Sequence, residues 1–97
     1  MKSRSYETIF ILHPSLDEEA VKANIEKFKG VIENNGGEIE NIDLWGKRKL
    51  AYEIKKVNDG YYTLVTFKAN TELPKELDRV FRITDSVIRH IIVNLEN

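Results

Sequence analysis

Strict alternation of apolar and polar residues admits one regular structure, the half-buried β-strand, because successive strand side chains point to opposite faces. Residues 44–67, LWGKRKLAYEIKKVNDGYYTLVTF, hold two such runs in succession. In the first, Leu50, Tyr52 and Ile54 share a face. In the second, Tyr61, Thr63, Val65 and Phe67 share one face, and Tyr62, Leu64 and Thr66 share the other. Asn58-Asp59-Gly60 lies between them, and such side chains with a glycine predict a hairpin turning there. Just upstream is Trp45-Gly46-Lys47-Arg48-Lys49. A glycine inside a strand pattern marks a bulge or bend, and three consecutive cations then present charge on both of its faces.

The basic tripeptide Lys47-Arg48-Lys49 supports two readings. Lys and Arg guard edge strands against pairing with other chains. They also donate to phosphate oxygens and release counterions on binding nucleic acid. Composition leaves both open: 15 basic residues face 16 acidic ones, which excludes an indiscriminate, strongly basic nucleic-acid binder. The distribution is uneven, however. Residues 47–56 hold five cations and one anion, and residues 38–43 hold three anions and no cation. Lys2, Arg4, Lys55, Lys56 and Arg89 are secondary candidates for the same surface, with plain solvated charge as the alternative for each.

The remaining elements follow in order. Tyr6 to Leu12 reads as a strand with apolar residues on both faces, stopped by Pro14. Ser15 or Asp17 can cap the next helix, and Ser15 with Glu18 fits a capping box. Val21, Ile25, Phe28 and Ile32 form its apolar stripe, and Asn35-Gly36-Gly37 ends it. A second strand starts near Glu38 and runs, bent at Gly46, to Ile54. Fully extended it would span about 60 Å, too long for an ordinary sheet, so its outer half must project or bend away. Thr71 is the expected cap of a second helix, with Pro74 in the first turn and Leu73, Leu77, Val80 and Phe81 as its stripe. Val87 to Leu95 is the last strand.

Ninety-seven residues suit one domain, residues 1–97, able to bury a core without disulfides or metals. The order strand, helix, strand, strand, helix, strand predicts an α+β, ferredoxin-like βαββαβ fold: a four-stranded antiparallel sheet, order 4-1-3-2, with two helices on one face. The opposite face is then uncovered. Ile9, Ile11, Tyr62 and Leu64 would form an apolar patch there, either a protein-partner surface or a partly solvated sheet face.

Catalytic chemistry is missing from the pattern. The chain has no cysteine, which excludes disulfides and thiolate ligands, and its two histidines have no partners spaced for a metal site. Asp17, Glu18 and Glu19 sit where a helix dipole favours anions. No nucleophile motif, P-loop or dinucleotide fingerprint occurs, so neither enzymatic activity nor a cofactor is expected. Only four apolar residues run from Ile9 to Leu12, too few for a signal or membrane segment, and a soluble cytoplasmic protein is expected. Residues 60–67, GYYTLVTF, partly match the base-stacking signature of RNA-recognition motifs, but the spacing from glycine to the final aromatic is one residue too long. A general single-strand RNA-binding module is therefore one alternative, and a self-associating ligand-sensing domain is another.

Taken together, Trp45-Gly46-Lys47-Arg48-Lys49-Leu50-Ala51-Tyr52-Glu53-Ile54, the N-terminal Arg4-Ser5-Tyr6-Glu7 and the late Asp85-Ser86-Val87-Ile88-Arg89 resemble the bacterial small-subunit ribosomal protein S-six family across nearly the whole chain. The chain departs from many relatives in carrying Glu53 where they have proline, and it lacks the long acidic tail of some. The resemblance implies a ferredoxin-like structural component of the small ribosomal subunit. Its implied partners are the central domain of small-subunit (16S) rRNA and ribosomal protein S-eighteen, with no small-molecule substrate. It also favours phosphate contact for Lys47, Arg48 and Lys49.

Overall fold

The alternating runs fold as strands and the three-and-four-spaced runs as helices. The computed structural model describes residues 3–96, comprising β1 (Arg4–Leu12), α1 (Glu18–Asn34), β2 (Glu38–Ile54), β3 (Val57–Ala69), α2 (Leu73–Ile83) and β4 (Val87–Asn94). The sheet order is β2-β3-β1-β4 and every pairing is antiparallel, the expected 4-1-3-2 arrangement. Tyr6, Phe10 and Leu12 of β1 and Val65 and Phe67 of β3 pack against Ile25, Phe28 and Ile32 of α1 and Leu77, Val80 and Phe81 of α2. At the centre, the rings of Phe10, Phe28 and Phe81 lie 4.7–5.2 Å apart. Truncating any of them to alanine would cost about 3–5 kcal/mol by lost transfer energy and cavity formation. Thr8 is buried among them, and its hydroxyl donates to the Ile91 carbonyl at 2.7 Å.

Helix boundaries follow from the side chains that satisfy the free backbone groups. Asp17, not the Ser15–Glu18 box, caps α1: its carboxylate accepts from the Ala20 N–H at 2.8 Å. Ser15 instead donates its N–H to His13 Nδ1. At the other end Gly36, with φ +84°, lets the Gly37 N–H reach the Ile32 carbonyl at 2.8 Å. The expected Thr71 cap of α2 is replaced by Asn70, whose Oδ1 accepts from the N–H groups of Glu72 and Leu73. An amide oxygen one residue earlier reaches two free donors at once.

The β2–β3 turn also lies elsewhere than expected. Ile54 pairs with Val57, so Lys55-Lys56 forms a two-residue turn, with φ of 50° and 66°. Two positive φ angles mark the turn whose twist matches a hairpin. Asn58, Asp59 and Gly60 belong to β3 instead. Gly60 is there for packing: a Cβ at that position would lie 2.5 Å from Ile11 Cγ2 and 2.9 Å from the Leu12 carbonyl oxygen. β2 does bend, with register shifts at residues 39–41, 44–46 and 49–54. The molecule is accordingly only 41 Å long, well short of the extended length of β2.

Candidate nucleic-acid interface

β2 is an edge strand whose charge changes sign along its length, from Glu38 and Glu40 to Lys47, Arg48 and Lys49. The change of sign comes at a bulge. Leu44 pairs with Thr63 and Gly46 with Tyr62, leaving Trp45 as the extra residue and Gly46 at φ +79°, a conformation suited to glycine. The bulge turns the indole over the sheet face opposite the helices, where it stacks on Tyr62 at 6.0 Å and 13° between planes. The indole N–H donates to Asp43 Oδ2 at 2.9 Å, and the Arg48 guanidinium lies 5.4 Å over the indole ring. Lys47 turns the other way, its ammonium 5.3 Å over Tyr61. Charge therefore does appear on both faces of the bend.

Register decides which other candidates join this group. Gly46, Tyr62, Ile11 and Arg89 form one row across the four strands, so Arg89 belongs to the same end of the sheet. Lys55 and Lys56, both exposed, occupy the hairpin tip. Arg4 does not join. It pairs with Ala69, eight residues along β3 from Tyr61, the partner of Lys47, which is about 26 Å at 3.3 Å per residue. Lys2 lies outside the described residues.

Among the described residues, no carboxylate lies within ion-pair distance of Lys47, Arg48, Lys49, Lys55, Lys56 or Arg89. On α2, by contrast, Lys75, Arg79 and Arg82 are each paired within one helical turn. His90 bridges to Asp78 at 2.7 Å and packs on Phe81, a structural position. No described group of His, Asp or Glu could hold a metal, and no described helix is long and apolar enough to cross a membrane.

The face away from the helices is apolar, and it is not fully open. Ile9 pairs with Leu64 and Ile11 with Tyr62, which brings together the four residues expected there. The tip of the β2–β3 hairpin curls over one end of this face. Leu50, Tyr52 and Ile54 close a cleft of about 290 Å³ against Ile9, Ile11 and Tyr62. Ile11 is thereby only 6% exposed. The accessible apolar surface moves outward instead, to Ile91 and Val93 on β4, which are 44% and 41% exposed.

The whole constellation has a counterpart among known proteins. Residues 5–94 match the family described as Ribosomal protein S6. The chain belongs to the ribosomal protein S6 family. It is 81% identical over 91 residues to small ribosomal subunit protein bS6 of Clostridium kluyveri, covering 94% of this chain and 96% of that one. To bS6 of Clostridium botulinum it is 74% identical over 93 residues, covering 96% and 99%. The crystal structure of 30S ribosomal protein S6 from Thermotoga maritima superposes with a TM-score of 0.92 at 37% identity, covering 96% of this chain and 88% of that one. Membership of the S6 family makes this a structural, non-enzymatic protein of the small ribosomal subunit, located in the cytoplasmic ribosome.

Within this S6-family domain, sequence reasoning locates the bend and misses what the bend does. Alternation marks Trp45 and Tyr52 as strand residues, not as groups reaching across the sheet. A lone tryptophan set between a glycine and an acidic stretch, just before three cations, is the available signal.

Proposed function

We propose that the basic end of the β2–β3 hairpin binds small-subunit rRNA of the central domain, and that it does so jointly with ribosomal protein S-eighteen. The observation that carries this is the set of cations without described carboxylate partners: Lys47, Arg48 and Lys49 at the bend, Lys55 and Lys56 at the tip, and Arg89 beside them. Edge protection needs no more than a single lysine, and cations meant only for solubility are readily balanced, as they are on α2. Six cations gathered at one end suit phosphate oxygens.

The case for a partner is electrostatic. A net charge of −1 gives little long-range attraction to RNA, and one local cluster makes only a handful of phosphate contacts. A second protein bringing further contacts makes binding bivalent, and effective concentration then raises affinity. Its dock is the apolar face around Ile9, Tyr62 and Leu64, extended by Ile91 and Val93, with Ile11 supporting it from beneath.

The test is a titration of labelled central-domain rRNA with this chain alone, with S-eighteen alone and with both. Weak or undetectable binding by the chain alone and tight binding by the pair is expected. A Leu64→Asp variant should remain folded and lose the pair. Tight, sequence-specific binding by the chain alone would show the partner to be dispensable.

A further inference from the structure

We propose that Trp45 is a stacking platform for one unpaired nucleobase, held at the edge of the phosphate-binding cluster; the inference rests on the RNA-binding reading and adds a base-directed contact to it. Nothing in the RNA-recognition signature pattern would place it there, since Trp45 comes from the edge-strand bulge and not from a central strand.

Four observations converge on the indole. It is parallel to Tyr62 within 13°, so its lower face is already supported by a second ring. Its N–H is held by Asp43 at 2.9 Å, which fixes the plane before any ligand arrives. A planar guanidinium, that of Arg48, occupies the position over the ring at 5.4 Å. Finally, Arg48 is exposed and held there weakly. Its Nε donates to the Trp45 carbonyl at 3.3 Å, and no described carboxylate pairs with it.

Bases stack on aromatic rings and on arginine planes alike. A base can therefore take the place of Arg48 over the indole, while the released guanidinium turns to the phosphate flanking that base. Lys47, whose ammonium lies over Tyr61 on the other face, would meet phosphates only where the RNA backbone passes round the edge of the sheet. The anion beside the indole, Asp43, is engaged with the ring N–H. Every base has a π-face, so the site selects unpaired bases over paired ones more than it selects a sequence.

Trp45 is the only tryptophan, so the full chain has a single indole N–H resonance that reports the site directly. The experiment titrates ¹⁵N-labelled protein at low salt with the decamer r(A)10 and with an abasic ribose-phosphate decamer of equal charge. Ring-current shifts at the indole N–H are expected with r(A)10 and not with the abasic strand, although both perturb the amides of residues 47–49. Trp45→Leu should weaken r(A)10 binding by about 5- to 100-fold with the salt slope unchanged. Trp45→Phe should recover part of that loss, which separates a missing ring from a damaged fold. Amide shifts at residues 47–49 with a silent indole would overturn the stacking site and leave phosphate binding standing. No shift with either strand at low salt would overturn the stacking site, while the joint RNA-binding reading is decided separately by the rRNA titration with S-eighteen. An indole shift caused by S-eighteen without RNA would reassign Trp45 to the protein interface and overturn the proposal.

Discussion

Arg89 of β4 donates to the phenolic oxygen of Tyr52 on β2, and its guanidinium lies 5.8 Å over the same ring. The two residues are 37 positions apart and their strands are the opposite edges of the sheet. This contact ties the hairpin tip down across the apolar face. Tyr52 is 60% exposed, so the tie affects where the tip sits far more than it affects global stability. Tyr52→Phe removes only the hydroxyl, and unfolding free energy should stay within about 0.5 kcal/mol of the parent. Amide exchange at residues 50–57 should nevertheless accelerate. Unchanged exchange there would show that the tip is held by Leu50 and Ile54 packing alone.

The basic bend should be dispensable for folding. Lys47, Arg48 and Lys49 are exposed and have no ion-pair partner among the described residues, so replacing all three by alanine should alter stability by less than about 1 kcal/mol. RNA affinity in the presence of S-eighteen should fall. The slope of log affinity against log salt should flatten by about 0.7–0.9 for each phosphate no longer neutralised. An unfolded triple variant, or an unaltered slope, contradicts the assignment.

The tip makes a prediction of opposite sign in its two parts. Lys55 and Lys56 both adopt positive φ, a conformation that costs a residue with a Cβ about 1 kcal/mol or more. Asn-Gly suits the same turn without that cost. Lys55→Asn with Lys56→Gly should therefore raise the denaturant midpoint, by about 1 kcal/mol of stability, while RNA binding weakens through removal of two cations. A destabilised double variant would show that the lysine stems make packing contacts that matter.

Gly60 should tolerate no side chain. The nearest atom to an added Cβ is Ile11 Cγ2 at 2.5 Å, and the next is the backbone oxygen of Leu12 at 2.9 Å. A methyl group can yield, but the carbonyl of a central strand cannot. Gly60→Ala should cost about 1–3 kcal/mol in equilibrium denaturation. Combining it with Ile11→Val should restore little, because the carbonyl clash remains; full rescue would locate the conflict in the isoleucine alone.

Position 60 also shows why one part of the fold is legible in the sequence and another is not. Strand faces, both helix stripes and the strand order follow from periodicity, because burial imposes the same period on every residue of an element. The turn does not. Asn58-Asp59-Gly60 carries turn chemistry, but the glycine is required by a neighbouring strand, a tertiary cause with no local trace. The same holds for the caps. Asn70 and Thr71 are equally good in composition, and only the path of the chain brings the Asn70 oxygen to two N–H groups. At the interface, the cations are legible as a run in the sequence. Their gathering with Arg89, the separation of Arg4 and the Trp45–Tyr62 stack all depend on register.

One acid should report its own environment. The Arg79 guanidinium donates to both carboxylate oxygens of Glu76, at 2.9 and 2.7 Å, and this holds the Glu76 carboxyl below its ordinary value. A lowered folded-state value means that the pair favours the folded state above the unfolded pKa, and that this contribution is lost as pH falls through the folded one. A carboxyl NMR titration should place Glu76 below free glutamate, and Arg79→Leu should move its midpoint upward. An unmoved midpoint would mean that solvent screens the pair completely.

The strand order β2-β3-β1-β4 has a consequence for how the chain is made. β1 is synthesised first and sits in the middle of the sheet, yet both of its neighbours arrive much later: Arg4 pairs with Ala69 and Tyr6 with Asn94. During translation it therefore waits as an unpaired strand with Phe10 and Leu12 uncovered, while β2 and β3, joined by two residues, can zip at once. Completion of the core must wait for β4, so its formation is governed by long-range closure more than by local contacts.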